Sequence, residues 1–135
     1  MVQTNIAAYL KHARGIAPQD SAAATINGAS HDRQGYLSAL LVAKNGAPSG
    51  TPTSYSVDAK IQDSADGSTG WADFAGASVT QITADDTDSS KAVDLSGAKR
   101  YIRVVVTVAF VGGTSPKVEV DADVILGGTD TLPAA

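Results

Sequence analysis

The 135-residue sequence contains no cysteine, so it can form no disulfide and offers no thiolate for catalysis or for zinc. Basic residues are also few, with 10 against 14 acidic ones, giving a formal net charge of -4. They are scattered along the chain, whereas a nucleic-acid-binding module needs a basic stripe. No apolar run approaches the roughly 20 residues of a membrane helix. We therefore expect neither a nucleic acid nor a membrane as partner.

Aromatic residues make up only 5% of the sequence, while small residues are abundant. This composition suits thin β-layers with small side chains. A chain of this length fits one domain that buries roughly two-thirds of its unfolded surface. The first residues lack the basic and then apolar run of a signal peptide. The sequence therefore predicts a protein kept in the cytosol or assembled there into something larger.

The strongest pattern lies near the C-terminal end, where two stretches alternate apolar and other residues with a period of two. One covers residues 101–110, and the other covers residues 117–127. This period is typical of strands with one face on a core and the other in water. Between them, residues 112–116 (Gly-Gly-Thr-Ser-Pro) have the composition of a turn. The pattern predicts a long β-hairpin over residues 99–127.

Further short strands are predicted along the chain, separated by turn signals: residues 21–30, 36–44, 55–62, 77–83 and 92–95. Residues 36–44 are almost continuously apolar, as in a strand covered on both faces. The two C-terminal strands bring the stretches named to seven, and the predicted fold has about eight short strands. The predicted fold is all-β, an antiparallel β-sandwich or barrel that is jelly-roll-like, spanning residues 21–128. Residues 129–135 form a C-terminal tail.

Residues 1–20 are predicted to be an N-terminal arm or a short helix. Four of them have the spacing of one face of an amphipathic helix: Ile6, Tyr9, Leu10 and Ala13. Gly15 and Pro18 would end such a helix. A segment this short must dock on something to be stable, either on its own domain or on a neighbouring subunit.

Residues that could carry chemistry are sparse. His12 and His31 are the only histidines, and the sequence has no nucleophile turn of the Gly-x-Ser-x-Gly type. The turn around Asp66 lacks the ligand spacing of a calcium loop. A row of carboxylates at positions 119, 121 and 123 is better explained as a water-facing strand, or as a partner-facing row opposite Lys or Arg, than by glycosidase chemistry. We expect no enzyme, no catalytic residue, no cofactor and no metal.

Trp71 directly follows the Asp66-Gly67 turn and has two interpretations. The preferred one is a core residue that closes one end of the sandwich. The other is a surface anchor for a partner.

The order of several motifs resembles small virion proteins of tailed bacteriophages, usually regarded as capsid decoration (cement) or minor structural proteins. The motifs are residues 54–64, 66–74, 93–108, 113–116 and 124–128. The resemblance implies a protein on the capsid surface of a virion, assembled in the host cytoplasm, which stabilises the head against the pressure of packaged DNA. The partners that it implies are the major capsid protein and further copies of itself, with a trimer favoured.

Exposure alone selects the residues that we expect to contact partners: Ile6, Tyr9 and Leu10 in the arm, and His31, Asp32 and Arg33 in a polar loop. Two alternative functions stay open at this point. One is another virion component, such as a head–tail connector, fibre base or tail protein. The other is a glycan-binding β-sandwich carried on the particle.

Overall fold

The structure of the protein, a computed structural model, describes residues 5–129. This part of the chain contains one turn of 3-10 helix, Ile6–Ala8, and nine strands. The strands are β1 Lys11–Ser21, β2 Ala24–Asn27, β3 His31–Asp32, β4 Tyr36–Asn45, β5 Ser54–Ser64, β6 Ala72–Ser78, β7 Asp88–Asp94, β8 Tyr101–Val111 and β9 Val118–Thr129.

The strands form two antiparallel sheets that face each other. Sheet I has the order β1-β9-β4-β7, and sheet II has the order β2-β8-β5-β6, with the short β3 paired to the beginning of β8. Leaving β3 aside, these are eight strands in two four-stranded sheets, and the chain crosses between the sheets at every connection except the one from β5 to β6. This is the arrangement of a jelly roll. The predicted all-β sandwich is confirmed.

The core lies between the sheets and is built mainly from valine, alanine, isoleucine and leucine. In β5 the predicted alternation is confirmed, since Tyr55, Val57, Ala59 and Ile61 are all buried. The inward faces of β8 and β9 contribute buried valines in the same way. Each fully buried aliphatic side chain contributes roughly 1.5–3 kcal/mol, so the small side chains stabilise the fold through their number.

The predicted hairpin between β8 and β9 is wrong. β8 pairs with β2, β3 and β5 in sheet II, whereas β9 pairs with β1 and β4 in sheet I. The connection over residues 112–117 therefore crosses from one sheet to the other. Gly112 and Gly113 have φ angles of 71° and 83°, which a Cβ would disfavour. Both strands keep the predicted inward face, but each has other partners.

The predicted helix over the N-terminal segment is also wrong beyond its single turn. From Lys11 the chain is extended and pairs with β9 as an edge strand of the same domain. Two register shifts in that pairing absorb Gly15 and Pro18, the residues expected to end a helix. Cross-strand pairing thus outweighs weak helical spacing. Residues 1–4 of the predicted arm and residues 130–135 of the predicted tail lie outside the described residues.

Candidate interaction surface

The outer face of sheet I carries an apolar depression of about 670 Å³. Leu40 in β4 is in register with Ile125 in β9 on one side and with Ala92 in β7 on the other. Ile6 and Leu10, from the segment before β1, complete the lining. We call these five residues the apolar groove.

The apolar groove brings two exposed large aliphatic residues together on one face. Ile6 is 67% exposed and Leu40 is 37% exposed, although both are large aliphatic residues. The expectation that β4 is covered on both faces is therefore wrong. Its inward residues Ala39, Leu41 and Ala43 are buried, but no layer of the described chain covers its outer face at Leu40. Contiguous exposed apolar surface of this kind commonly marks an interaction site.

The other half of the same face is charged. Asp123 Oδ1 accepts a hydrogen bond from His12 Nε2 at 3.0 Å. Lys44 Nζ lies 3.7 Å from Asp121 Oδ1 and 3.8 Å from Asp123 Oδ2. The carboxylates at positions 121 and 123 of β9 thus have a lysine of the same sheet beside them. That this row faces a partner stays a prediction. Asp121 Oδ1 is buried without a hydrogen-bond donor among the described residues.

The residues predicted to contact a partner are divided by the structure. Ile6 and Leu10 line the apolar groove, and Leu10 packs over Gly127 of β9. Tyr9 lies beside them, half-buried, outside the groove lining. His31 is at a different edge, where its Nε2 lies 2.7 Å from the backbone oxygen of Arg14. Their role as partner contacts stays a prediction.

Asp32 and Arg33 are engaged within the chain itself. Asp32 accepts hydrogen bonds from the Arg100 guanidinium, the shortest at 2.8 Å, and these bonds lower the pKa of its carboxyl. The Arg33 guanidinium donates hydrogen bonds to three backbone oxygens, those of Tyr36, Ala98 and Lys99. These bonds hold the loop before β4 against the turn before β8. This contact is a clamp between segments, a role that exposure in the sequence could not reveal.

Trp71 lies on the outer face of sheet II and is not part of the core cluster, so the preferred interpretation as a core residue is wrong. Its ring stacks on the Arg103 guanidinium, with the Cζ atom 4.5 Å from the ring centroid. Arg103 donates to Gln62, which donates to Asp73 at 2.8 Å, and Lys60 Nζ completes the row at 2.9 Å from Asp73. These polar groups satisfy one another.

The acidic turn after β5 also satisfies itself. Asp66 accepts hydrogen bonds from the backbone amides of Ser68 and Thr69, and these bonds hold the pKa of its carboxyl far below its usual range. Gly67 has a φ angle of 76°, as the Asp-Gly pair predicts. Within residues 5–129, no three His, Asp or Glu side chains are grouped so as to hold a metal ion. Nor does a helix in this range have the length and apolarity to cross a bilayer.

No protein-family model and no curated protein matches the chain. Solved structures do match. A chain of infectious bursal disease virus, Gx strain, aligns with a TM-score of 0.55 at 12% identity over 93% of this chain and 34% of the viral chain. This chain thus spans about a third of the length of the viral chain. The likeness shows a shared β-sandwich fold.

Two weaker matches involve the SPBc2 prophage-derived protein YomS and Desmodium yellow mottle tymovirus. YomS has a TM-score of 0.41 at 12% identity, over 93% of this chain and 97% of the other. The tymovirus chain has a TM-score of 0.38 at 10% identity, over 95% and 84%.

Proposed function

We propose that the protein is a structural component of a virus particle and, more specifically, a decoration (cement) protein on the capsid of a tailed phage. The observation that carries this proposal is the exposed apolar groove on an otherwise well-buried sandwich. Such a surface is suited to contact with another protein chain rather than to turnover of a small molecule. The fold shared with the bursal disease virus chain and the motif order of residues 54–128 support the same class.

The proposed mechanism is mechanical. Each copy contacts the major capsid protein across neighbouring shell subunits, so that the pressure of packaged DNA has to break these contacts before the shell can expand. Contacts between copies of the protein raise the effective affinity without any strong single contact. The oligomer implied by the motif resemblance, a trimer, belongs to this proposal. So do the capsid surface as location and the absence of catalytic activity.

The test uses phage particles assembled without this gene product. Purified protein is added to the undecorated capsids, and binding is followed by co-sedimentation and by electron microscopy. We expect hundreds of copies on the shell and a higher temperature of DNA release than in bare capsids. Fully decorated capsids are the control and should take up no more protein. Absence of binding, together with unchanged particle stability, would refute the decoration role. A dozen or fewer copies at one vertex would indicate a connector or tail component instead.

A glycan-binding module is the second candidate, favoured by the surface position of Trp71, which stacks on Arg103, itself hydrogen-bonded to Gln62. Aromatic rings next to planar polar side chains are suited to sugar rings. Against it, one face of the indole already contacts Arg103, and the polar groups of the row are paired with one another. A glycan array without signal, together with Trp71 fluorescence unchanged by sugars, would eliminate this candidate.

A further inference from the structure

We infer that the apolar groove is the contact surface between two copies of this chain, which pack face to face across sheet I about a two-fold axis parallel to the strands. The inference concerns the protein in solution and does not depend on the proposed virion role. It is an alternative to the trimer that the motif resemblance implies, and the molar mass in solution distinguishes the two.

The apolar pair at the centre of the face supplies the first argument. Leu40 and Ile125 are neighbours on adjacent strands, β4 and β9, which are the two central strands of sheet I. A two-fold axis that runs between these strands places Leu40 of each copy over Ile125 of the other. Exposed Ile6 lies in the same groove. Covering these side chains removes the most exposed apolar cluster of the described residues from water.

Under the same axis, the charged residues around the groove of one copy meet residues of opposite charge in the other copy. Lys44 in β4 is in register with Asp121 in β9, so each lysine of one copy faces the aspartate of the other. Arg14 on the β1 side and Asp88 on the β7 side are both exposed, and neither forms an ion pair with a described residue. The axis brings β1 of one copy over β7 of the other, with Arg14 level with Ser90. Asp88 lies two residues further along β7, roughly 7 Å away at the backbone, which the long arginine side chain can span. An isologous interface requires this self-complementarity.

The sheet edges favour association through the face because each edge carries a feature that discourages strand pairing. In sheet I, β1 has Pro18 and two register shifts, and β7 has the exposed charge of Lys91 on the same side of the strand as buried Val93. In sheet II, β2 has only four residues, and β6 has a register shift and Gly76 at a φ angle of 78°. The unprotected surface is the outer face of sheet I.

The first experiment measures molar mass by sedimentation equilibrium of the full chain, up to about 100 µM, a range that detects micromolar dissociation constants. We expect a dimer for the wild type. Leu40→Asp should weaken dimerisation by roughly tenfold or more, as loss of a central apolar contact does. Val111→Asp is the matched control, because Val111 is 61% exposed at the end of β8 in the other sheet. This variant should dimerise as the wild type does.

A charge exchange tests the orientation of the pair. Arg14→Glu and Asp88→Arg should each weaken the dimer by roughly threefold to tenfold, and the double variant should regain the wild-type mass distribution. Both side chains are free of ion pairs within the described chain, so the fold should tolerate each change, which far-UV circular dichroism checks. A monomeric or trimeric wild type, equal weakening by Leu40→Asp and Val111→Asp, or a double variant no better than the single ones would each overturn the inference. These molar-mass measurements contain no capsid, so their outcomes are separate from those of the decoration test.

Discussion

At the scale of single residues, Tyr55 links the core to the acidic loop before β7. Its ring is buried on the inward face of β5, and its hydroxyl donates to Asp85 Oδ1 at 2.8 Å while accepting from Asn45 Nδ2 at 3.0 Å. Asn45 also accepts a hydrogen bond from the backbone amide of Thr87. The pKa of Tyr55 is raised to about 12, mainly because the phenol is buried and secondly because it donates a hydrogen bond to Asp85. The loop is thereby fixed to the sandwich.

We predict that the protein loses stability between about pH 10 and pH 12 because of Tyr55. In this range the unfolded chain releases the phenol proton while the folded chain keeps it, so the unfolded state is favoured as the pH rises. A difference of two units between the pKa of Tyr55 in the folded and in the unfolded chain corresponds to roughly 2–3 kcal/mol of the free energy of unfolding. Urea unfolding at pH 8, 10 and 11.5 measures the effect. Tyr55→Phe should cost about 1 kcal/mol at pH 8 and should flatten the decline. A decline equally steep in this variant would contradict the assignment.

Residue roles were predictable from the sequence only where they depend on local pattern. The Asp66-Gly67 turn needs a positive φ and a side-chain acceptor within three residues, and both are visible in the sequence. The clamp formed by Arg33 and the stacking of Trp71 on Arg103 join residues more than thirty positions apart. Their partners depend on which strands are neighbours, and a single sequence gives no such information.

At the scale of elements, the edge strands β1 and β2 meet at two glycines. The backbone amide of Gly28 donates to the Val104 oxygen at 2.7 Å. A Cβ atom on Gly28 would overlap the backbone oxygen of Gly15, and one on Gly15 would lie 2.7 Å from a methyl group of Val104. A backbone atom cannot move aside as the end of a side chain can. The close approach of the two sheets therefore requires glycine at position 28.

We predict that Gly28→Ala destabilises the protein by roughly 1–3 kcal/mol, because the added methyl group forces β1 away from β2. The matched control is Gly97→Ala, since a Cβ there has no atom within 4 Å and the φ angle is not positive. This control should change stability by less than about 0.5 kcal/mol. The midpoints of urea unfolding give both values. Equal effects of the two substitutions would show that the sheets separate without cost at this point.

The error over β8 and β9 has a physical origin at this same scale. Alternation along a strand specifies which residues face the core, and it did so correctly for both strands. The inward faces of two opposed sheets have the same alternation, so the pattern does not specify which sheet a strand joins. Loop length did not settle the choice either, since a connection of six residues can serve as a hairpin loop or cross between sheets.

At the scale of the whole molecule, the topology places distant parts of the chain side by side. The first strand of sheet I pairs with the last strand of the chain, β9, and β2 pairs with β8. The all-β class and the sandwich followed from composition and from regularly spaced turn signals. The outer apolar groove did not, because a continuously apolar β4 suggested cover on both faces. Only the sheet order reveals that this face of β4 is left open.

The same topology leads to a prediction for folding. Neither sheet can form without strands from both ends of the chain, so we expect one cooperative unfolding transition and a folding time in the range of about a millisecond to seconds. Trp71 fluorescence reports on sheet II, and hydrogen exchange of β9 amides reports on sheet I. The two probes should give the same free energy of unfolding, measured on the Leu40→Asp variant so that pairing of copies does not contribute. Different free energies would mean that the sheets unfold separately, which a shared core of interleaved strands does not permit.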